Sequence, residues 1–170
     1  MRLWRLSTAT YAKSFNGGYG RDNDGRWNTK GRPVTYCATV PSLCVLEKLV
    51  HVGRPENLPD GLVMLQYEAP DDIAIDHIEL DDLPAEWLHD EAVTRQRGDA
   101  WLEGLHAPIL RVPSVIVAEP GAADRNMVVN HLHPDHVKIR PLPGRPFAFD
   151  PRLWADTAAL ATVLAPGAGG

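Results

Sequence analysis

The sequence predicts a single α+β domain built on a twisted, mixed or largely antiparallel sheet with a few helices inserted. Three observations carry that expectation. Short apolar runs read as strands near both the beginning and the end of the chain, with two helical segments between them. No internal repeat and no linker divides the 170 residues, a length that suits one domain with a real core. Fifteen prolines and fourteen glycines are spread along the chain and punctuate it into short elements.

Arg2 to Leu6 alternates, with Leu3 and Arg5 on one side and Trp4 and Leu6 on the other, and reads as an opening strand. Arg5 is either a surface residue or an anion ligand pointing into a pocket. Ser14 to Gly25 has no apolar period and four glycines, and reads as a loop whose spacing is not that of a P-loop. Val34 to Ala38 is a second strand. Pro41-Ser42 then opens a helix that ends near Gly53. Apolar residues cover most of its circumference, so it is expected to be largely buried, with Glu47 at the border of the core. Glu47 is either ion-paired, with His51 or an arginine, or a catalytic carboxylate facing a cleft.

Leu62 to Ala69 and Ile73 to Ile78 read as strands around an Asp71-Asp72 turn. Leu80 to Asp90 is acidic, and Asp81, Asp82, Glu86, Asp90 and Glu91 read as a solvated face. Glu91 to Leu105 is a helix with Val93, Trp101, Leu102 and Leu105 as core candidates, and Gly98 weakens it or breaks it. Ile109 to Val117 is the most strand-like run, in which Pro113 marks an edge, a start or a bulge. Ser114 after it needs a hydrogen-bond partner or a ligand. Asn126 to Leu132, Val137 to Pro141 and Phe147 to Asp150 read as the last strands. The folded domain is expected over residues 1–154, with an Ala/Gly-rich, mobile tail over 155–170.

The bulk numbers narrow the function. Hydrophobic residues at 44% and charged residues at 23% are ordinary for a soluble globular protein. A net charge of -5 removes a global basic field, so direct binding of nucleic acid is not expected. The opening Met1 to Leu6 is too short and too charged for a signal peptide, and no run is long enough to span a membrane. Cys37 and Cys44, both in apolar segments, are expected to be reduced core residues of a cytoplasmic protein. The histidines of His131-Leu132-His133-Pro134-Asp135-His136 are not expected to hold a metal, because Pro134 breaks their geometry and no other ligand cluster is evident.

Arg26, Tyr36, Glu47, Ser114 and Asn130 stand where apolar residues would be expected. An arginine fork binds pyrophosphate, a tyrosine ring stacks on a flat heterocycle, and a carboxylate holds a ribose hydroxyl while stabilising positive charge at the anomeric carbon. Serine can orient an amide or a ribose. Together they suit scission of the nicotinamide–ribose bond of NAD. Six fragments in this order resemble the RES-domain toxins of bacterial toxin–antitoxin pairs. They are Gly25-Arg26-Trp27-Asn28, Gly31-Arg32-Pro33-Val34-Thr35-Tyr36, Leu46-Glu47, Gly98-Asp99-Ala100-Trp101-Leu102, Leu110-Arg111-Val112-Pro113-Ser114, and Asn130 with His133-Pro134. Two places depart from the family pattern: the acidic Arg21-Asp22-Asn23-Asp24-Gly25 loop and His131-Leu132-His133.

The resemblance implies a fold similar to ADP-ribosyltransferase toxins, with NAD bound as substrate in a cleft. It implies Arg26, Tyr36, Glu47 and Ser114 as the active-site set, with Arg5 and Asn28 as further ligands. It also implies a cognate Xre-like helix-turn-helix antitoxin that occludes the cleft and carries the DNA binding. Homodimerisation is left open. The acceptor of the ADP-ribosyl group (water, phosphate or a protein side chain) is open too, so NAD degradation stands first and protein ADP-ribosylation second. A nucleotide-binding module without chemistry is a third reading.

Overall fold

The computed structural model describes residues 1–154. The expected tail, 155–170, lies outside the described residues. Seven strands form one mixed sheet: β1 (Arg2–Thr8), β2 (Val34–Ala38), β3 (Leu62–Glu68), β4 (Ile75–His77), β5 (Ile109–Pro113), β6 (Arg125–Asn130) and β7 (Arg140–Pro146). The helices are α1 (Ala9–Ala12), α2 (Gly18–Asp22), α3 (Pro41–Val52) and α4 (Glu91–Gly104), with short 3-10 turns between elements. The strand order is β4-β5-β6-β2-β1-β3-β7. Among the described residues only the β4–β5 pair is parallel.

The sheet has a weak seam. β1 pairs with β3 over its full length, and β2 pairs with β6 over its full length. β1 and β2 meet only at Trp4 opposite Ala38. That single pair joins the β4-β5-β6-β2 half to the β1-β3-β7 half.

Strand alternation builds a core on each face. One face carries Leu3, Cys37, Leu65, Tyr67, Ile109, Met127 and Val129, covered by Phe15 and Ile139. The other carries Val34, Leu110, Val112 and Val128 beneath Trp27 and the Trp101 and Leu102 of α4. Near the seam, Leu43 and Cys44 of α3 pack on Ala38 with Trp4 and Leu6. Both cysteines are free and buried, and burial pushes both thiols up.

Several expectations are corrected. The Ser14–Gly25 loop contains α2, whose Gly20 lies against the chain at Arg32: a Cβ there would sit 2.3 Å from the Arg32 carbonyl oxygen. The glycines serve close approach as well as turning. Helix α3 is less buried than its composition implies, because it lies across the seam and leaves Leu46 and Val50 exposed. Gly98 does not break α4, and Leu105 is no core residue: it is exposed and caps the helix at φ 49°. The acidic residues Asp81, Asp82, Glu86 and Asp90 are exposed as expected, around a buried Trp87.

The strand expected to reach Val117 stops at Pro113, which pairs with Arg125 as the last rung of an interior strand. Residues 147–150 are not a strand. The final strand is instead β7, with Pro141, Pro143 and Pro146, a composition an outermost strand tolerates because half its backbone donors face no neighbour. Pro134 to Lys138 form a 3-10 turn rather than the start of a strand.

The histidine cluster is built into that turn. His133 Nδ1 accepts from the Asp135 backbone (3.0 Å), and His136 Nδ1 lies 2.7 Å from the His133 carbonyl. His131 is buried with Nε2 2.8 Å from the Thr35 hydroxyl. Among the described residues no group of three His, Cys, Asp or Glu side chains could hold a metal ion.

Burial first, then His136, Arg21 and Arg5, push the His131 imidazole down from 6.5 to about 4. In the unfolded chain that ring titrates near its ordinary 6.5, so the unfolded state binds more protons between the two values. Stability from His131 is therefore complete above pH 6.5 and is lost as pH falls toward 4. Thermal unfolding midpoints measured across this window are expected to fall with acidification, with a shallower slope in His131→Gln.

Candidate active site

The loop from Gly25 to Arg32 is clamped between β2 and α4. Its own turn closes through Gly25 N–H donating to the Asn28 carbonyl (2.9 Å). The Tyr36 hydroxyl, on β2, accepts from the Trp27 backbone N–H (3.0 Å) and donates to Asn28 Oδ1 (2.7 Å). From the other side Arg95 Nε donates to the Gly25 carbonyl (2.9 Å). Asp99 accepts from the Thr29 backbone and hydroxyl (both 2.9 Å) and from Arg32 Nε (3.0 Å). Gly98 stands between these anchors, where any Cβ would meet the Trp27 carbonyl. The Gly-Arg-Trp-Asn and Gly-Asp-Ala-Trp fragments are thus two sides of one contact.

This geometry reassigns two expected ligands. Asn28 has no exposed surface, and its amide donates to the Asn23 and Thr29 carbonyls, so it organises the loop and is not placed to touch a ligand directly. The Tyr36 hydroxyl is committed to the loop, and burial raises its pKa strongly. Only the half-buried Tyr36 ring, edge-on to Tyr19, remains for a ligand. Tyr36→Phe is therefore expected to loosen the loop, lowering stability by about 1–3 kcal/mol because it strands the Trp27 donor. Chemical denaturation measures it.

Arg26 projects from this loop. Its guanidinium donates to the Trp87 carbonyl (2.9 Å) and lies 3.5 Å from Glu91, which also binds Arg95. It stays about a quarter exposed, at 23%.

Glu47 pairs with neither His51 nor an arginine. Its Oε1 accepts from the Ser114 hydroxyl (3.0 Å) and from Asn126 Nδ2 (2.7 Å). Ser114 directly follows the strand-ending Pro113. Its oxygen accepts from the Ile116 N–H (3.1 Å), which leaves its proton for Glu47. Ser114 has no exposed surface, so the contact expected between it and a ligand becomes a contact with the carboxylate. Glu47 Oε2 takes no hydrogen bond from a described residue and is not among the buried unpartnered atoms. One carboxylate oxygen is held and the other is presented.

The strand register relates the two clusters. Tyr36 stands opposite Val128 and Ala38 opposite Asn126, so Tyr36 and Asn126 are diagonal neighbours on one face, about 7–8 Å apart. The Arg26 loop rests on the Tyr36 hydroxyl and the Glu47 carboxylate on the Asn126 amide. Tyr36, Ser114 and Glu47 thus share one face, and the loop that carries Arg26 is anchored to it through the Tyr36 hydroxyl.

Arg5 is not on that face. It shares the Leu3 side of β1, and its guanidinium donates to the Ser14 carbonyl (3.2 Å). The Lys48 ammonium of α3 is lowered first by burial and then by Arg5. Among the described residues neither cation has an ion-pair partner. Asn130, singled out in the sequence, is buried and bonded to the Leu102 carbonyl and the Leu132 N–H. Asn126, four residues earlier, is the asparagine at the carboxylate. The same-face spacing of 126 and 130 was the available signal, and register alone separates them.

Such a mixed-sheet α+β fold is shared with a chain of the crystal structure of the M. tuberculosis MbcT–MbcA toxin–antitoxin complex. The likeness has a TM-score of 0.67 at 17% identity and covers 93% of this chain and 88% of that one. The chain belongs to the RES domain family, whose model matches residues 2–150. It is 37% identical over 157 residues to Toxin Res of Photorhabdus laumondii subsp. laumondii, covering 90% of this chain and 97% of the relative. It is 31% identical over 158 residues to the Prs ADP-ribosylating toxin of Sphingobium sp., covering 89% and 95%. Toxin Res of Pseudomonas putida is 36% identical over 135 residues, covering 79% and 87%.

Proposed function

We propose that this protein is the toxin of a toxin–antitoxin pair and consumes NAD by breaking its nicotinamide–ribose bond. The observation that carries the reading is the Glu47 carboxylate, with one oxygen fixed by two donors and the other free, on the sheet face that also bears Tyr36 and anchors the Arg26 loop. In this reading Arg26 exchanges part of its contact with Glu91 for the pyrophosphate, and the Tyr36 ring lies against the nicotinamide. Glu47 Oε2 binds a hydroxyl of the nicotinamide ribose and stabilises the oxocarbenium ion as the bond from C1′ to the ring nitrogen breaks. The bonding pair returns to that nitrogen, which loses its positive charge, so the leaving group needs no general acid. Ser114 acts through Glu47. The unpaired Arg5 and Lys48 at the seam add positive potential for a diphosphate.

The acceptor that completes the reaction is water or phosphate in the first reading, and NAD is degraded. Transfer to a protein side chain is the second, favoured by the name of the Sphingobium relative. Purified protein incubated with NAD and phosphate, with and without bacterial lysate, separates them. Free nicotinamide with an ADP-ribose species in the absence of lysate supports degradation. Label on a lysate protein without free ADP-ribose points to transfer, and no loss of NAD in either case removes both. The partner in this reading is an Xre-like antitoxin, whose co-expression should restore growth and block NAD loss.

A further inference from the structure

The seam and the carboxylate leave one residue unexplained by the reaction as described so far. Asn126 is the second residue of β6, half-buried, and stands in the ladder between Ala38 and Val112. Its side chain makes one hydrogen bond, from Nδ2 to Glu47 Oε1 at 2.7 Å. An ionised carboxylate only accepts, so the nitrogen rather than the oxygen of the amide faces it. The second donor to the same oxygen, Ser114, comes from the adjoining strand end, where Val112 pairs with Asn126 and Pro113 with Arg125.

One rung of the ladder, through Asn126, and the residue just past the end of the adjoining strand, Ser114, thus grip one oxygen of a side chain carried by a helix. A free glutamate has three rotatable bonds, and α3, with exposed apolar residues across a seam, does little by itself to hold one rotamer. We propose that Asn126 is a positioning residue for the reaction. With Ser114 it occupies Oε1, fixes the plane of the Glu47 carboxylate, and so directs Oε2 at the ribose. This rests on the proposed NAD chemistry and adds to it a residue that touches no substrate.

The test uses the full chain, NAD consumption, and two variants. Asn126→Ala removes the donor. Asn126→Asp keeps the shape but turns a carboxylate oxygen toward Glu47, so a side chain that merely fills space would be replaced without loss. Positioning predicts a kcat lower by about ten- to a hundredfold for Asn126→Ala, the scale of a charge-assisted hydrogen bond, with KM changed by less than about threefold. It predicts a loss at least as large for Asn126→Asp. The acidic limb of its kcat/KM profile should also move to higher pH, because two adjacent carboxylates resist ionising together. Thermal unfolding of each variant shows that it is folded. Asn126→Asp with wild-type turnover overturns the inference alone, as does a loss confined to KM. Absence of NAD turnover in the wild-type protein overturns the function and the inference together.

Discussion

Glu47→Gln is expected to lower NAD turnover by about a hundred- to a thousandfold or more while leaving the fold and NAD affinity nearly intact. The substitution is clean because of how the side chain is held. The amide oxygen of Gln can accept from Ser114 and Asn126 as Oε1 does now, and its NH₂ takes the position of the free Oε2. Shape and both hydrogen bonds survive, and only the negative charge is lost. Charge matters most when the ribose carbon becomes cationic, and removing one preorganised electrostatic partner from such a site costs about 10²–10³ in kcat. Steady-state kinetics with nicotinamide release, isothermal titration with NAD and a thermal melt measure the three quantities. A variant that binds NAD and turns it over at the wild-type rate would leave Glu47 a structural residue.

Gly98→Ala is expected to be the most damaging substitution for stability. Propensity argues the other way, since alanine in a helix interior is favoured over glycine by about 1 kcal/mol. The contact decides it. A Cβ at residue 98 would lie 1.9 Å from the Trp27 carbonyl oxygen and 2.6 Å from the carbonyl carbon. Both atoms are backbone, in a loop fixed on one side by Tyr36 and on the other by Arg95 and Asp99. Overpacking of this kind costs about 3 kcal/mol or more, which exceeds the gain from propensity. Net of the propensity gain, about 2 kcal/mol or more is lost, and the melting temperature should fall by about 4–8 °C or more. NAD turnover should fall with it, because Arg26 moves with the loop. A melt unchanged or raised by the substitution would show that the loop can yield.

Much of the candidate site was legible from residue types in unexpected places. Arg26, Tyr36 and Glu47 could be picked out because a guanidinium, a phenol and a carboxylate interrupt turn or apolar patterns. The strand and helix carrying Tyr36 and Glu47 follow from simple period and capping signals. Ser114 was also visible, but its partner was not: the turn after Pro113 aims its hydroxyl at Glu47 rather than outward. Asn126 and Asn130 occupy equivalent faces of one strand. Only the pairing with β2 and β5 decides which of them meets the carboxylate and which supports the chain at Leu102. Exposure of Leu46 and Val50 was hidden for a related reason. A helical wheel ranks which side is apolar, while burial depends on how wide a surface the sheet offers beneath it. The glycines of the Ser14–Gly25 segment read as a plain loop because close approach leaves no local trace in sequence.

The two outermost strands have a bearing on how the molecule behaves when crowded. At one margin β4 is only three residues long, and at the other β7 carries a proline at three of its seven positions. Neither offers a continuous row of free N–H groups on which a further copy could add, strand by strand, into a fibre. A chain so finished at both ends is protected against amyloid-like growth by its backbone alone, whether or not another protein is bound to it.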